Sequence, residues 1–483
     1  MRRVTARGWL TTVSLITTAG ITAFAAKGTT DAEPYLEPTA SNIHVYAILN
    51  VGDSVNTKPD GSPYPFVGNP DGLGAYDNGD GTFTLLVNHE IPSSAGVIHA
   101  HGARGAFISK WTIRKGSLKV EHGEDLTHTV MTWNGSTHVP TAGVAFNRFC
   151  SANLPPRSAF YNDATGLGFD GRMFLNGEEP GAQGRAFAHG LDGTSYQLPH
   201  LGRAAFENVL ANPSTGDKTV VMANDDSTDG QIYLYVGTKK NTGSPADMAG
   251  LVGGTLYGVR VTGMGKETDA STIAAGTRFS LFSLGDVSTL SGAQLQTASR
   301  GPTTDTTLFN VTEFNRPEDG SWDPNQPNDY YFNTTASFTG RSRLWRLRFD
   351  DVNHPELGGV AEMLLVGTEG QRQLDNLTVS RFGTVMLQED PGGQEYLAKI
   401  WRYDIASGQL DEIAHHAPKF FDPTGSAFIT TDEESSGIID ASDILGQGYF
   451  LLTSQAHKSI PGELVEMGQI LAMHVPPGQP AGN

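Results

Sequence analysis

Six stretches of this chain share one layout: an acidic residue beside Gly, Pro or Asn, then a polar turn, a strand and a polar or acidic end. In "NPDGLGAYDNGDGTFTLLVNHE" the pattern runs from Asp71 to Glu90, and in "FYNDATGLGFDGRMFLNGEE" from Asp163 to Glu178 and Glu179. It recurs from Glu207 to Asp225 and Asp226, from Glu318 in "NRPEDG", and from Asp375 to Glu389 and Asp390, with a weaker copy in "DPTGSAFITTDEE". A single Asp or Glu in such a context is ordinarily a turn former or a solvated group. Its recurrence is what suggests chemistry. Carboxylates brought close together cannot all stay ionised unless cations lie between them. Hard oxygen donors at flexible spacing favour Ca²⁺, with Mg²⁺ a poorer fit to an all-protein cage. Arg316 stands two residues before Glu318, and a guanidinium fork can hold two oxygens of a phosphate. His89, between Asn88 and Glu90, is a further candidate as ligand or proton donor.

The elements that would position these groups are short strands. The acids of one unit lie roughly 15 to 20 residues apart, the span of two strands joined by a hairpin. Further strands follow, such as "QIYLYVG" (Gln231–Gly237) and "SRLWRLRFD" (Ser342–Asp350), and 58 Gly and 26 Pro punctuate the chain. Long amphipathic helical patterns are scarce. Four-stranded units repeated about an axis make an all-β propeller, and the mature length accommodates about six blades. In that architecture the innermost strands line a central channel, so acids placed before successive inner strands would form a ring around one opening. The expected organisation is an export signal over 1–25, a lead-in over 26–64, the propeller over 65–475 and a tail over 476–483.

The first 25 residues have a basic start (Arg2, Arg3, Arg7), an apolar Thr/Ala-rich run and Ala23-Phe24-Ala25 as a small-residue cleavage site. No later segment is apolar enough to span a membrane, so the mature chain is expected to have no integral membrane segment. Formal charge is −19, and the leader contributes three arginines and no acid. So acidic a surface argues against a nucleic-acid partner and suits an environment rich in divalent cations. Cys150 is the sole cysteine, so no internal disulfide can form. It reads first as a small buried apolar residue, with a metal-bound thiolate as the alternative.

No H-E-x-x-H or zinc-finger spacing and no G-x-S-x-G elbow is present. His189 and His457 read as hydrogen-bonded structural histidines. The acid-rich Asp432–Ile444 reads as a solvated loop, with calcium binding as the alternative.

The motifs "LLVNHE" (Leu85–Glu90), "NGEE" (Asn176–Glu179), "LGRAAFEN" (Leu201–Asn208), "VVMANDD" (Val220–Asp226), "NRPED" (Asn315–Asp319) and "LDNL" (Leu374–Leu377) occur in this order. In that order they resemble the PhoX-type alkaline phosphatases, exported bacterial propellers that carry calcium and iron. The resemblance implies a phosphate ester substrate, with Arg316 as the phosphate-binding arginine and Glu318 as a metal ligand. It also implies Glu207 as an acidic ligand and an acidic position at Glu178, with Glu179 beside it; Asp375 and Glu90 are outer candidates. At the position of the family's iron-bridging cysteine this chain has Gly177, which places iron in doubt, and Cys150 could replace it only from another loop. The expectation is thus an exported, calcium-dependent phosphoric ester hydrolase. Two alternatives remain, a non-catalytic calcium-binding propeller with a surface partner and a calcium-dependent lactonase or esterase.

Overall fold

The computed structural model describes residues 28–477, so the leader and the last six residues lie outside the described part. The chain forms a six-bladed β-propeller. Blade 1 is an antiparallel sheet of Pro70–Asp77, Thr82–His89, Phe107–Arg114 and Val120–Asp125, in that order from the axis outward. Blade 2 begins with Phe149–Asn153 and continues through Met173–Glu178, Ala186–Gly190 and Thr194–Gln197. Two strands from the preceding segment extend it, and the first, Thr129–Trp133, runs parallel to Thr194–Gln197. The inner strands of blades 3 to 6 are Phe206–Ala211, Pro317–Trp322, Leu374–Val379 and Glu433–Asp440. Blades 3 and 4 are joined at their outer edges by Arg278–Gly285, which pairs with Thr255–Val261 of one and Gly359–Leu365 of the other.

Closure comes from the N-terminal side. His44–Asn50 is the outermost strand of blade 6, antiparallel to Val465–His474, and Leu36–Pro38 adds to the outer edge of blade 5. The segment before residue 65 therefore carries propeller strands of its own. Sealing the last blade with a strand from the other end of the chain ties the circle, and neither blade 5 nor blade 6 can be completed without residues 36–50.

Adjacent side chains of a strand point to opposite faces, and here each face belongs to a different seam between blades. In Lys218–Asp225 of blade 3, Val221 and Ala223 pack into the seam with blade 2, while Val220 and Met222 pack into the seam with blade 4. Six apolar clusters fill the six seams, and the one between blades 6 and 1 joins Ile48, Leu49 and Leu451 to Leu85 and Trp111. Being buried on both faces explains why these strands read as continuous apolar runs.

Leu49 is fully buried in the closing strand. Leu49→Ala is expected to cost about 2–5 kcal/mol, seen as a lower urea midpoint. Leu357→Ala, at a position 58 % exposed, is expected to stay within about 0.5 kcal/mol of the parent. Equal midpoints for the two variants would contradict closure by the N-terminal strand.

Candidate functional site

The second residue of each inner strand occupies an equivalent place at one end of the channel: Asp71, Cys150, Glu207, Glu318, Asp375 and Glu434. They form a ring of five carboxylates and one thiol, buried except for Asp375, which is half-buried. In blades 1 to 5 the pairing of the inner strand slips just here, between Pro70 and Leu73, Phe149 and Ala152, Phe206 and Asn208, Pro317 and Gly320, and Leu374 and Leu377. A β-bulge re-aims the side chain at the slip and bends the strand. In four blades the residue two positions earlier has positive φ: Asn69 (51°), Arg148 (44°), Arg316 (58°) and Gln373 (42°). Such a conformation is strained for a residue with a side chain, and it recurs where the chain turns into the channel.

A second tier comes from the adjacent strands. The residues facing the start of each inner strand are followed by Glu90, Glu179, Asp226, Thr335, Asp390 and His457. Two arginines brace these acids: Arg316 ties the second tier to the ring, and Arg148 links two members of the second tier. Arg316 donates from Nε and Nη2 to the two oxygens of Asp226 at 2.9 and 2.8 Å, with Nη2 also 3.0 Å from Glu318. Arg148, at the start of blade 2, donates from Nε at 2.8 Å and from Nη2 to one oxygen of Glu90, with Nη2 also in an ion pair with Glu179 at 2.5 Å. Both guanidiniums are about two-fifths exposed, and among the described residues Nη1 of neither has an acceptor.

Two sets of donor atoms converge to within 4.8 Å: Asp71, Glu90 and Cys150, and separately Glu207, Glu318 and Asp375. Among the described residues, Oε1 of Glu207 and Oδ1 of Asp375 are buried without any hydrogen-bond donor, as are the amide oxygens of Asn376, Gln388 and Gln455. Unpartnered oxygens crowded against like charges are costly, and a bound cation is the group that would satisfy them. The all-oxygen set suits a hard cation; the set containing a thiol also suits a softer transition metal.

Burial comes first among the causes that push Asp71, Glu207, Glu318 and Asp375 well above the usual carboxylate range. The charges of neighbouring acids add to it. Burial and the carboxylate of Asp71 likewise raise the Cys150 thiol, which donates to Asp71 Oδ2 at 3.1 Å. Burial and Glu90 lift Glu179 to about 8, and burial and Glu434 lift Asp390 to about 7. Glu434 is the exception. Burial would raise it, but His457 and Ser436 together hold it below its ordinary value. Burial alone would lower His457; lying between Glu434 and Glu466 carries it up to about 11.

The residues singled out in the sequence fall into three groups. Glu207, Glu318, Asp375 and Glu90 meet in the two donor sets, and Arg316 stands beside them. Glu179 lies in the upper tier on Arg148. Glu178 and His89 are spent elsewhere. Glu178 accepts from Nε of Arg185 at 2.7 Å and from Nη2 of the same guanidinium. His89 is fully buried on Phe107 with Nδ1 at Gly68 O and Nε2 at Ser109 Oγ, which leaves no ring atom for a ligand.

Three readings need correction. Asp163 precedes no inner strand: it is exposed and pairs with Arg157, while the inner strand of blade 2 lies upstream and carries Cys150. Cys150 therefore reaches the ring from an inner strand and not from a loop. Gly177, read from the sequence as unable to ligate, also has no room for a side chain, since a Cβ there would lie 2.3 Å from Cβ of Phe206 in blade 3. Finally, Asp432–Ile444 is no solvated loop, since Glu433–Asp440 is the inner strand of blade 6. Asp71 was read as a ring acid but not singled out as a ligand, and Cys150, Glu434 and Arg148 were missed as ring or rim residues. Cys150 and Glu434 stand second in their inner strands, like the ring acids, and Arg148 stands two residues before Cys150, as Arg316 does before Glu318.

No protein-family model matches this chain, and no curated protein matches it. Solved structures do. PhoX of Pseudomonas fluorescens, solved in complex with vanadate, a transition state analogue, superposes with a TM-score of 0.64. It is 13 % identical over 93 % of this chain and 97 % of that one. A Trypanosoma rangeli sialidase matches at a TM-score of 0.38 and 10 % identity, over 91 % of this chain and 59 % of that one, too loosely to support an argument. The chain thus has a PhoX-like propeller fold.

Carboxyls raised in the folded state hold protons that the unfolded chain has lost. For Glu179 and Asp390 that contribution to stability is complete below about pH 4 and is lost as pH rises through about 7 to 8. In chelator, the melting temperature is expected to fall between pH 5 and 8.5. Millimolar calcium should raise it more at pH 8.5 than at pH 5. A calcium increment that is flat or larger at pH 5 would show that calcium does not bind among the raised carboxyls at this end of the channel.

Proposed function

We propose that the protein is an exported, calcium-dependent hydrolase of phosphate esters. The observation that carries this reading is the meeting of two metal-fitting donor sets with two half-exposed arginines at one end of the channel. The PhoX-like fold and the ordered motifs support it, and so does the leader-like N-terminus, which lies outside the described residues. No helix among the described residues is long and apolar enough to cross a membrane.

Glu207, Glu318 and Asp375 would hold the hard cation, with Asp71, Glu90 and Cys150 around a second metal. Bound divalent cations supply Lewis-acid polarisation of a phosphoryl oxygen and acidify a coordinated water. The chain's own part is to bind and orient. Asp226 and Glu318 fix Arg316, so its Nη1 is preorganised to donate to a phosphoryl oxygen without rearranging during reaction. Arg148, held in the same backbone conformation by Glu90 and Glu179, offers a second such donor. Cys150 is buried within a donor set and serves as a ligand, so the reading assigns no covalent protein nucleophile.

One observation favours a second reading, a non-catalytic calcium-binding propeller. The charge of Arg316 is already balanced by Asp226 and Glu318, which weakens its pull on a free anion.

Hydrolysis of p-nitrophenyl phosphate by metal-quantified protein separates the two. EDTA is expected to abolish activity and calcium to restore it. Arg316→Ala should lower kcat/KM by about tenfold or more, in the range of lost electrostatic donors, with metal content unchanged. Protein that binds calcium and melts higher with it, yet hydrolyses nothing, would establish the second reading. Activity indifferent to both EDTA and Arg316→Ala would end the first.

A further inference from the structure

A cavity of about 520 Å³ opens at the outer edge of blade 1, remote in the sheet order from the channel. Its walls are the hairpin of Ser54–Thr57 and Pro63–Pro65, the outermost strand Val120–Asp125, and residues 97–100 of the loop that follows Glu90. Tyr64, Pro65, Val97, Ile98 and Phe107 supply apolar lining, and Ile98 stands 66 % exposed there.

Within it His99 is held in one orientation. Its ring stacks on Phe107 with centroids 3.6 Å apart, and Nδ1 lies 3.3 Å from Oδ2 of Asp125. Asp125 is fixed in turn by the hydroxyl of Tyr64 at 2.8 Å and the amide of Ala100 at 2.8 Å. Asp125 thereby accepts the Nδ1 proton and leaves Nε2, which has no partner among the described residues, for a ligand. The other lining carboxylates are already matched: Glu124 by Lys110 at 2.9 Å, and Glu463 by Lys58. His122 and His128 bring two more imidazoles to the lining. What the cavity has left to offer is imidazole nitrogen above an apolar floor.

We infer that this cavity binds a small monocarboxylate with an apolar body, its carboxyl on Nε2 of His99. Nε2–H would donate to the carboxylate, and Asp125 on the other side of the ring would balance the positive charge this pairing favours. A metal ion is the poorer occupant, because no three His, Cys, Asp or Glu ligand atoms converge here among the described residues. The cavity volume lies within the range of small-molecule sites. This site does not depend on the phosphoesterase reading.

Isothermal calorimetry of the full chain with benzoate, hexanoate and benzyl alcohol tests it. At least one acid is expected to bind at least tenfold more tightly than the alcohol; which acid wins tells whether the body is aromatic or aliphatic. His99→Gln should weaken the acid at least tenfold, and Ile98→Asp, on an exposed side chain that does not report on folding, should weaken it too. No binding heat from either acid, an alcohol that binds as well, or affinities unchanged in both variants would overturn the proposal.

Discussion

Five carboxylates and a thiol are packed into one end of a buried channel, and the repulsion among them is the constraint that organises the rest. Burial raises the pKa of the ring acids on blades 1, 3, 4 and 5, and the charges of neighbouring acids raise it further. The protein meets part of this load with cations of its own. Arg148 and Arg316 each bridge two acids, and His457 compensates Glu434. The oxygens of Glu207 and Asp375 that lack donors mark what the chain leaves uncompensated. Packing in the seams supplies the opposing force, since each blade is clamped on both faces by apolar neighbours and the inner strands cannot splay to relieve the repulsion.

Placing the ring residues requires the strands to depart from regular pairing. A regular inner strand would alternate its side chains between the two seams. The slip at the ring residue turns that side chain toward the axis, and left-handed residues such as Arg148 and Arg316 bring the chain in at the angle the slip needs. In both blades the strained residue is the one that bridges two acids, Arg148 within the second tier and Arg316 between the second tier and the ring. Its ion pairs offset the backbone cost, so local strain and long-range electrostatics are met by one side chain.

Much of this was legible in the sequence. The recurrence of Asp71, Glu207, Glu318 and Asp375 followed from strand-and-turn spacing, and the convergence of inner strands about an axis gave the ring. Blade 2 was misread because its acids, Asp163 and Glu178, imitate the pattern while its inner strand lies earlier and carries Cys150. A thiol in place of a carboxylate breaks any search for acids. Glu178 gave no sign that Arg185, seven residues on, would occupy it. His89 looked poised beside Glu90, yet alternation along the strand turns it away from the channel, onto Phe107. Pairings between distant segments, such as the N-terminal strand on blade 6, leave no local trace.

The repeat is sixfold in backbone but not in chemistry, and the asymmetry divides the ring. Blades 1 and 2 present short side chains, Asp71 and Cys150, which leave room for Glu90 to reach in from the adjacent strand and complete one donor set. Blades 3, 4 and 5 supply Glu207, Glu318 and Asp375 directly from equivalent positions, and these complete the other without help from the second tier. Blade 6 closes neither set: Glu434 is turned to Ser436, Gln455 and His457. That diversion separates the two sets on one side of the circle, and Arg148 and Arg316 flank blade 3 on the other. A ring of six equivalent acids would offer one diffuse well for cations. Cys150 in blade 2 and the diversion of Glu434 in blade 6 leave instead two donor sets of different ligand character, with two guanidiniums at the rim.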